Sequence, residues 1–582
     1  MTFIKKYICE LVFAINIFLI PFNHDLNVWW QRPVVNDAMG YYVYLPAIFI
    51  HHTFNYDFIQ EPWEKYYKYS HNHPKGAFVV FFGDKELNKY PPGVAYFQAP
   101  FFFMGHIWAK MCGSETDGYS DIYMYFLCIG AIFWQYVFLK LLQRIFRFYN
   151  LSQFAIAITA PLLSFGTNLW FYTQIFGTYS HLYTLLSISL FFYAGLQFFS
   201  QNNDKKGKYF AWMLIGFSLA IITRNINVIA ILLLPCMGFK LKEFTSYLSV
   251  LKSQISIIGM LISFGLIFSM FVFWKIQTGH WLVDSYPDEF FNWKNPQIFK
   301  SLFSAHKGWF TYTPLALVGL LGLYYAPPKI AINFLSVLAL VVYITSSWWC
   351  WDYGTAFSMR AYIDWYLFVS IGLGFLIESL LTKKIALYFV ITICILFSAI
   401  NILQSVQFMR GIISGSSQGI EYTIKNFFRL KPILEYQISK KVIEKSELVK
   451  NDFNDDAKHP YADVSEKNPF SKGIDLKFDG YLKDNGYTAI RYGAKAKLQD
   501  LNHQIFLCAS LTNEKDSILV WLQTDIMFFV RANKWEHLET GFILSKDLPP
   551  NVRLKVFFWE PKGNTVAAVD DMYVEFIKAG IE

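Results

Sequence analysis

The sequence predicts a polytopic α-helical membrane protein of about eleven transmembrane helices, followed by a C-terminal all-β extracytoplasmic domain. Three observations carry this. The 582 residues are 54% hydrophobic and 20% aromatic but only 16% charged, too apolar for an ordinary soluble chain. Apolar runs such as LISFGLIFSMFVFW (261–274) and IALYFVITICILFSAINIL (385–403) sit in segments that reach the ~20 residues a helix needs to cross a hydrocarbon core. Beyond residue 472 the pattern changes to short β-type runs separated by turn residues.

The elements follow from charge. Residues 411–582 hold 23 Lys and Arg against 24 Asp and Glu, leaving 28 against 19 before them. The excess lies between apolar segments, where basic clusters mark cytoplasmic loops. These are Lys5/Lys6, Lys140/Arg144/Arg147, Lys205/Lys206/Lys208, Lys240/Lys242/Lys252, Lys329 and Lys383/Lys384. Helices near 7–22, 121–141, 151–170, 181–200, 209–224, 226–239, 254–276, 308–325, 330–346, 362–380 and 385–408 satisfy all of them. The N-terminus then lies inside and the C-terminus outside. The N-terminal MTFIKKYICELVFAINIFLIPF begins like a signal peptide but lacks a small-x-small cleavage site, and reads as a retained first helix. YPPGVAYFQAPFFFMGHIWAKM (90–111) is apolar enough to span, but a crossing there would put Arg144 and Arg147 outside. It is expected on the outer surface, as an interfacial or re-entrant helix; a twelfth crossing is the alternative.

The domains are therefore 1–410 in the membrane, with a large first outer loop at 23–120, then 411–472 as a connecting helix and linker, and 473–582 as a β-sandwich or jelly roll. SILVWLQT (517–524), VRLKVFFWEP (552–561) and VAAVDDMYVEFI (566–577) are its clearest strands, with PKGN as a turn. Its ending is similar to carbohydrate-binding modules, yet a structural cap or docking domain fits as well. The seven cysteines form no disulfide or metal pattern.

This topology gathers polar residues on one face. The outer loops hold Asp37, Tyr90, His181, His280, Asp284, His306, Lys307, Asp352 and Arg360, and Arg224 falls at the outer end of its helix. Asp37 opens NDAMGYYVYLP (36–46), ahead of Tyr41, Tyr42 and Tyr44. A loop carboxylate is either a solvated charge or a general base within reach of a substrate hydroxyl. Arg224, flanked by apolar sequence, either faces a polar cavity or anion or snorkels to lipid headgroups. Lys307 is a second candidate cation. Arg360 has Asp352 and Asp364 nearby, so a structural ion pair is open to it. His181 and His306 either bind phosphate or an acceptor, or are hydrogen-bonded structural groups. WWCWDYG (348–354) either stacks on a substrate or forms an interfacial aromatic belt.

NDAMGYYVYLP followed by KYPPGVAYFQAPFF (89–102) resembles the first outer loop of GT-C glycosyltransferases. That family includes protein O-mannosyltransferases and the lipid A aminoarabinose transferase. ITRNINVIAILLLP (222–235), HKGWFTYTPLALVGLLGLYY (306–325), SSWWCWDYGTAFSMRAYIDWYLF (346–368) and NILQSVQFMRGII (401–413) are similar to bacterial members, so the resemblance covers about residues 1–413. It implies an inverting enzyme of the bacterial inner membrane that moves a monosaccharide from a polyprenyl-phosphate donor, undecaprenyl phosphate in a bacterium, to an extracytoplasmic lipid, glycan or protein acceptor. It implies Asp37 as catalytic base. Tyr41, Tyr42, Tyr90, His181, Arg224, His306, Lys307 and Arg360 are the candidate substrate-binding residues. No cofactor is expected: the 171–181 loop carries no acid, and Asp37-Ala38 stands where many members show Asp-Glu, which argues against a divalent metal. No nucleic-acid partner is expected. A lipid-linked saccharide transporter or flippase is the alternative, though it would show polar residues through the bilayer depth and repeat symmetry; a non-catalytic membrane assembly factor is another.

Overall fold

The computed structural model describes residues 6–24, 26, 32–67, 75–83, 85–200, 205–287, 289–354, 356–409, 412–413, 420–425, 427–428, 430, 443–451, 462–464, 469–480, 482, 486–498, 505–526, 534–544, 548–560 and 567–579. Lys5, most of the 411–472 connection and the PKGN turn lie outside them. The chain forms two compact units, one of residues 1–70 and 77–431, the other of 71–76 and 432–582.

The first unit is helical. α1 (Ile8–Asn23) is followed by the short α2 (Asp37–Tyr42), a hairpin of β1 (Val79–Phe82) and β2 (Lys85–Asn88), then α3 (Gly93–Met111) and α4 (Asp121–Phe148). α5 (Gln153–Gly166), α6 (Ser180–Phe199), α7 (Lys206–Thr223) and α8 (Asn225–Met237) come next. α9 (Gln254–Thr278), α10 (Pro314–Tyr325), α11 (Pro328–Ser347), α12 (Arg360–Ser379) and α13 (Lys384–Met409) complete it. Among the described residues, six helices are long and apolar enough to cross a membrane: α4, α6, α9, α11, α12 and α13. α1, α5, α8 and α10 are shorter apolar helices. The chain is a multi-pass membrane protein.

Burial separates central from peripheral helices. The apolar windows of α6 and α12 are 78% and 83% buried, whereas those of α9 and α13 are only 22% and 17% buried. α6 and α12 are therefore the middle of the bundle, and α9 and α13 present apolar side chains outward, as lipid-facing helices do. Small residues allow the close contacts. A Cβ on Gly372 of α12 would sit 1.9 Å from the carbonyl oxygen of Gly319 on α10, so the two backbones touch there.

Polar pairs fix how α1 lies on α4. Lys140 reaches Glu10 at 2.8 Å, Asn16 Nδ2 donates to Gln135 Oε1 at 3.2 Å, and His24 lies 3.4 Å from Cys128. The two helices run antiparallel, with Glu10 and Lys140 at one end of the bundle and His24 and Cys128 toward the other. α3 also runs antiparallel to α4. Trp134 donates to the Phe97 carbonyl at 2.9 Å, Phe101 covers Gly130, and Gly105 faces Tyr123 and Phe126. α4 continues about four turns beyond Trp134 to Phe148. α3 thus covers only the first half of α4 at the His24 end. Its outward side is apolar (Phe103, Met104, Ile107, Trp108, Met111).

Three helices differ in detail from the sequence expectation. α7 and α8 are separated by Arg224 alone, in extended conformation (φ −153°, ψ 117°), and α8 begins as a 3₁₀ helix over Asn225–Leu233. The 308–325 segment is interrupted at Thr313, with Pro314 starting the longer piece, where proline is favoured as a first helical residue. α12 opens with a 3₁₀ turn, Arg360–Trp365.

The second unit is a β-sandwich. β5 (Ile474–Lys477), β7 (Phe506–Thr512), β8 (Ile518–Asp525) and β10 (Arg553–Trp559) form a sheet in the order β5-β10-β7-β8. The other sheet joins β3 (Ile443–Asn451), β11 (Ala567–Ala579), β6 (Ala489–Leu498) and β9 (Glu536–Ile543) in that order, with β4 (Ala462–Val464) also on β11. Side chains alternate: Leu554, Val556 and Phe558 of β10 point inward and share one core with Ile490, Tyr492 and Val574. β3 and β4 lie in the segment the sequence assigned to the linker. Their charged composition (IEKSELVKN, ADV) hides a strand signal, because β3 is an edge strand and is paired on one side.

Gly93, of the YPPG sequence, packs its α-carbon against the end of α7. A Cβ there would lie 2.5 Å from the Ile222 oxygen and 2.6 Å from the Thr223 nitrogen, immediately before Arg224. Backbone cannot yield as a flexible side chain does. Gly93→Ala is expected to cost about 1–3 kcal/mol through overpacking, read as a lower thermal midpoint of the detergent-solubilised chain.

Candidate functional site

Asp37 begins α2, at the His24 end of the bundle. α2 and the residues after it are held by the end of β2 and the residues after that: Asn88 Nδ2 donates to the Gly40 carbonyl at 2.7 Å, and the Tyr44 hydroxyl donates to the Tyr90 carbonyl at 2.7 Å. Gly40 is needed for this contact, since a Cβ would meet Tyr90 Cδ2 at 2.4 Å and Phe78 Cβ at 2.5 Å. Asn36, just before Asp37, has φ 51° and ψ −126°, a conformation that non-glycine residues rarely adopt.

Arg360 Nη2 donates to Asp37 Oδ2 at 2.6 Å and to the Tyr353 carbonyl at 3.1 Å. Its guanidinium lies 4.9 Å from the Tyr179 ring centre. The Arg360 partner is thus Asp37, from the other end of the sequence, and not Asp352 or Asp364. Burial opposes the Asp37 charge, but Arg360, Lys89 and the Tyr90 hydroxyl outweigh it and hold the carboxyl below the usual carboxylate range. The Tyr41 and Tyr90 rings lie beside it, 4.5 Å apart and tilted by 43°. Burial, with Asp37 adding to it, pushes the Tyr41 phenol up to about 12.

A second charge cluster adjoins the first. Arg224 Nη1 donates to Asp364 Oδ2 at 2.6 Å, and His181 Nδ1 lies 2.8 Å from Asp364 Oδ1. Asn227 Nδ2 adds a longer contact to Asp364 at 3.4 Å. A cavity of about 10 Å³, the size of one water molecule, is walled by Arg224, Asn227, Asp364, Thr345 and Trp365 among others. Tyr353 joins the clusters: its ring centre is 5.8 Å from the Arg224 guanidinium and 5.9 Å from that of Arg360. Tyr353 has φ 58°, a second left-handed non-glycine residue at this place.

The two ion pairs face opposite ways. In the first, the carboxylate is the open member: the Asp37 side chain is 26% exposed and that of Arg360 9%. In the second, the cation is the open member: Arg224 is 16% exposed and Asp364 1%. The site thus presents one carboxylate and one guanidinium outward, each backed by a buried counter-charge. Chemically, such a surface can accept a proton at one point and stabilise an anion at another.

The remaining candidates divide. Lys89, which the sequence analysis did not single out, pairs with Glu289 at 3.0 Å and sits over the Tyr90 and Tyr286 rings. His306 Nε2 lies 2.9 Å from Asp352 Oδ2. Lys307 is buried and donates to the carbonyls of Gly354 (2.7 Å) and Ala356. His306 and Lys307 therefore clamp the 350–356 segment that carries Tyr353, and Lys307 has no open face. Tyr42 turns into the core, donating to the Gly118 carbonyl and packing on Tyr119 and Phe102. His280 packs against Phe82 with the rings tilted, and Asp284 caps its own loop at the Tyr286 amide. Asp364 was missed as a site residue because, read in sequence, it is one acid in an aromatic run. No three His, Cys, Asp or Glu side chains among the described residues converge as a metal would require.

Fold and site together define a multi-pass helical membrane protein with a tyrosine-lined charge cluster at one end of its bundle. No protein-family model and no curated protein matches the chain. Among solved structures it is similar to the apo oligosaccharyltransferase of Archaeoglobus fulgidus, at 12% identity and a TM-score of 0.39, over 74% of this chain and 61% of that one. It is also similar to an arabinosyltransferase of Mycobacterium smegmatis, at 9% identity and a TM-score of 0.35, over 96% of this chain and 64% of that one. The chain spans less than two thirds of the length of either. Likeness of this size does not fix a reaction, which has to be argued from the residues themselves.

Burial drives the Lys307 ammonium down to about 7, against an ordinary lysine value of 10.5, with Asp352 opposing and Arg360 adding to the shift. Between those values the unfolded chain binds the proton and the folded chain does not. Stability is therefore expected to rise with pH from about 7 to about 10.5. Lys307→Met should flatten that rise in thermal unfolding measured across the same range.

Proposed function

We propose that the chain is a GT-C-type glycosyltransferase that moves a monosaccharide from a polyprenyl-phosphate donor to an extracytoplasmic acceptor with inversion. The observation that carries this is the opposed exposure of the two ion pairs, Asp37 open over Arg360 and Arg224 open over Asp364. The order of sequence pieces over residues 1–413 supports the same class.

The reaction needs both groups. The acceptor oxygen attacks the anomeric carbon while the bond from that carbon to the phosphate oxygen breaks. The electron pair of that bond stays on the phosphate, whose charge grows from about −1 to about −2. Arg224 meets this growing charge. An arginine aimed at a developing anion in a site poor in water supplies several kcal/mol of transition-state stabilisation. The acceptor proton passes to Asp37. In the resting site Arg360 weakens Asp37 as a base, since it holds the carboxyl ionised. A donor phosphate between Arg224 and Arg360 competes for Arg360, and Asp37 regains basicity as the acceptor docks. Tyr41 and Tyr90 line the carboxylate and offer hydroxyls and ring faces to a sugar. His181 stands beside Arg224 on the phosphate side. The 350–356 segment, clamped by His306 and Lys307, keeps Tyr353 between the arginines.

The basic clusters favour an orientation in a bacterial inner membrane with the N-terminus in the cytoplasm. The site and the β-sandwich then lie on the extracytoplasmic side, and the donor enters from the outer leaflet.

Purified protein incubated with a panel of labelled polyprenyl-phosphate sugars is expected to release free polyprenyl phosphate. Asp37→Asn should reduce that turnover by about 10²–10⁴ while the donor still binds. Turnover without change in this variant overturns the assignment of the base. Because Asp37 is held below the usual carboxylate range, donor-free Asp37 stays ionised at pH 5. A loss of the Asp37–Arg360 pair is therefore expected only below about pH 4, readable as an acid-induced rise in the exposure of tyrosine and tryptophan fluorescence to quencher.

A further inference from the structure

We infer that Asp364 is a positioning residue that aims Arg224 at the phosphate of the donor and fixes the proton of His181. The inference rests on the proposed transferase reading and adds a residue to it. Asp364 sits in the 3₁₀ turn Arg360–Trp365, four positions after Arg360. Its side chain is 1% exposed, so it cannot itself meet a ligand arriving at the opening. Both oxygens are used from behind: Oδ2 by Arg224 Nη1 at 2.6 Å and by Asn227 at 3.4 Å, Oδ1 by His181 Nδ1 at 2.8 Å.

These contacts have consequences for the open face. Arg224 is the lone extended residue between α7 and α8, and its long side chain would otherwise sample many rotamers. One charge-assisted bond at Nη1 takes one edge of the guanidinium and leaves the rest of the fork for an anion. The carboxylate also settles His181. A carboxylate accepts and does not donate, so Nδ1 carries the proton and the ring lies with Nε2 as its acceptor. The Arg224 Nη1 to His181 Nδ1 approach of 3.5 Å is then a contact between two donors sharing one acid, which keeps them side by side.

The test uses the full chain in phosphatidylcholine nanodiscs, with undecaprenyl phosphate and uncharged undecaprenol as paired probes. Wild type should bind the phosphate more tightly than the alcohol. Asp364→Asn is expected to lose about tenfold or more of the phosphate affinity and to keep its affinity for undecaprenol. Asp364→Glu, which retains the charge one methylene further out, should lose less. A merely structural role would weaken both probes alike, and that result, or an unchanged phosphate affinity, overturns the inference while leaving the transferase reading intact. Wild type that shows no preference for the phosphate overturns the transferase reading and this inference with it. If Asp364→Asn does not fold, Arg224→Gln is compared with Arg224→Gln/Asp364→Asn, which removes both charges together. Equal phosphate affinity in those two supports action through Arg224; a further loss in the double variant overturns it.

Discussion

The 3₁₀ turn Arg360–Trp365 carries a cation at its first residue and an acid four residues later, and each is satisfied by a distant part of the chain. Arg360 takes Asp37 from the start of α2, and Asp364 takes Arg224 from the α7–α8 break and His181 from the start of α6. Charges this deep in a bundle are costly unless paired. The turn therefore dictates where α2, the α7–α8 break and the start of α6 can sit. Much else at this end of the bundle follows: the glycine at 93 that lets α3 close on α7, the glycine at 40 that lets Tyr90 close on α2, and the clamp of Lys307 on the segment holding Tyr353.

Pairing by itself makes a structural bridge. What makes these bridges a candidate site is their unequal exposure. A carboxylate backed by a buried arginine remains charged yet reachable, and an arginine backed by a buried carboxylate is aimed yet reachable. Two strained residues, Asn36 and Tyr353, lie at the same spot. Such conformations persist only where surrounding contacts over-determine them, and they gather where a side chain must be placed for a purpose. Low local dielectric strengthens every one of these interactions and penalises any group left alone.

Much of the architecture was legible in sequence. Among the described residues, the six helices long and apolar enough to cross a membrane, from Asp121–Phe148 to Lys384–Met409, fall in segments that charge and hydropathy marked, because membrane insertion demands long apolar runs. α3 packs against the first half of α4. Strands β8, β10 and β11 were visible through their alternation, whereas β3 was hidden by its charged, edge-strand composition. In the candidate site, Asp37 was chosen through the family resemblance, Arg224 for its apolar flanks and Arg360 as a candidate cation, and the structure brings the three into adjoining clusters. Tyr42 was chosen for proximity to Asp37 and faces the core, since neighbours on a helix point in different directions. Lys307 was chosen for its charge and is spent on two carbonyls.

The sequence by itself thus determined which segments are long and apolar enough to enter a membrane, that a β-rich region follows, and that charged residues gather toward one end of the helices. Periodicity and charge are local properties, and these features depend on nothing else. Only the tertiary structure decided the partners. That Arg360 answers Asp37 across more than three hundred residues, that Asp364 holds Arg224 and His181 together, and which member of each pair faces outward are set by how helices cross. A carboxylate reads the same in the chain whether it ends exposed over an arginine or buried beneath one; packing alone distinguishes them, through the water each side chain keeps or loses.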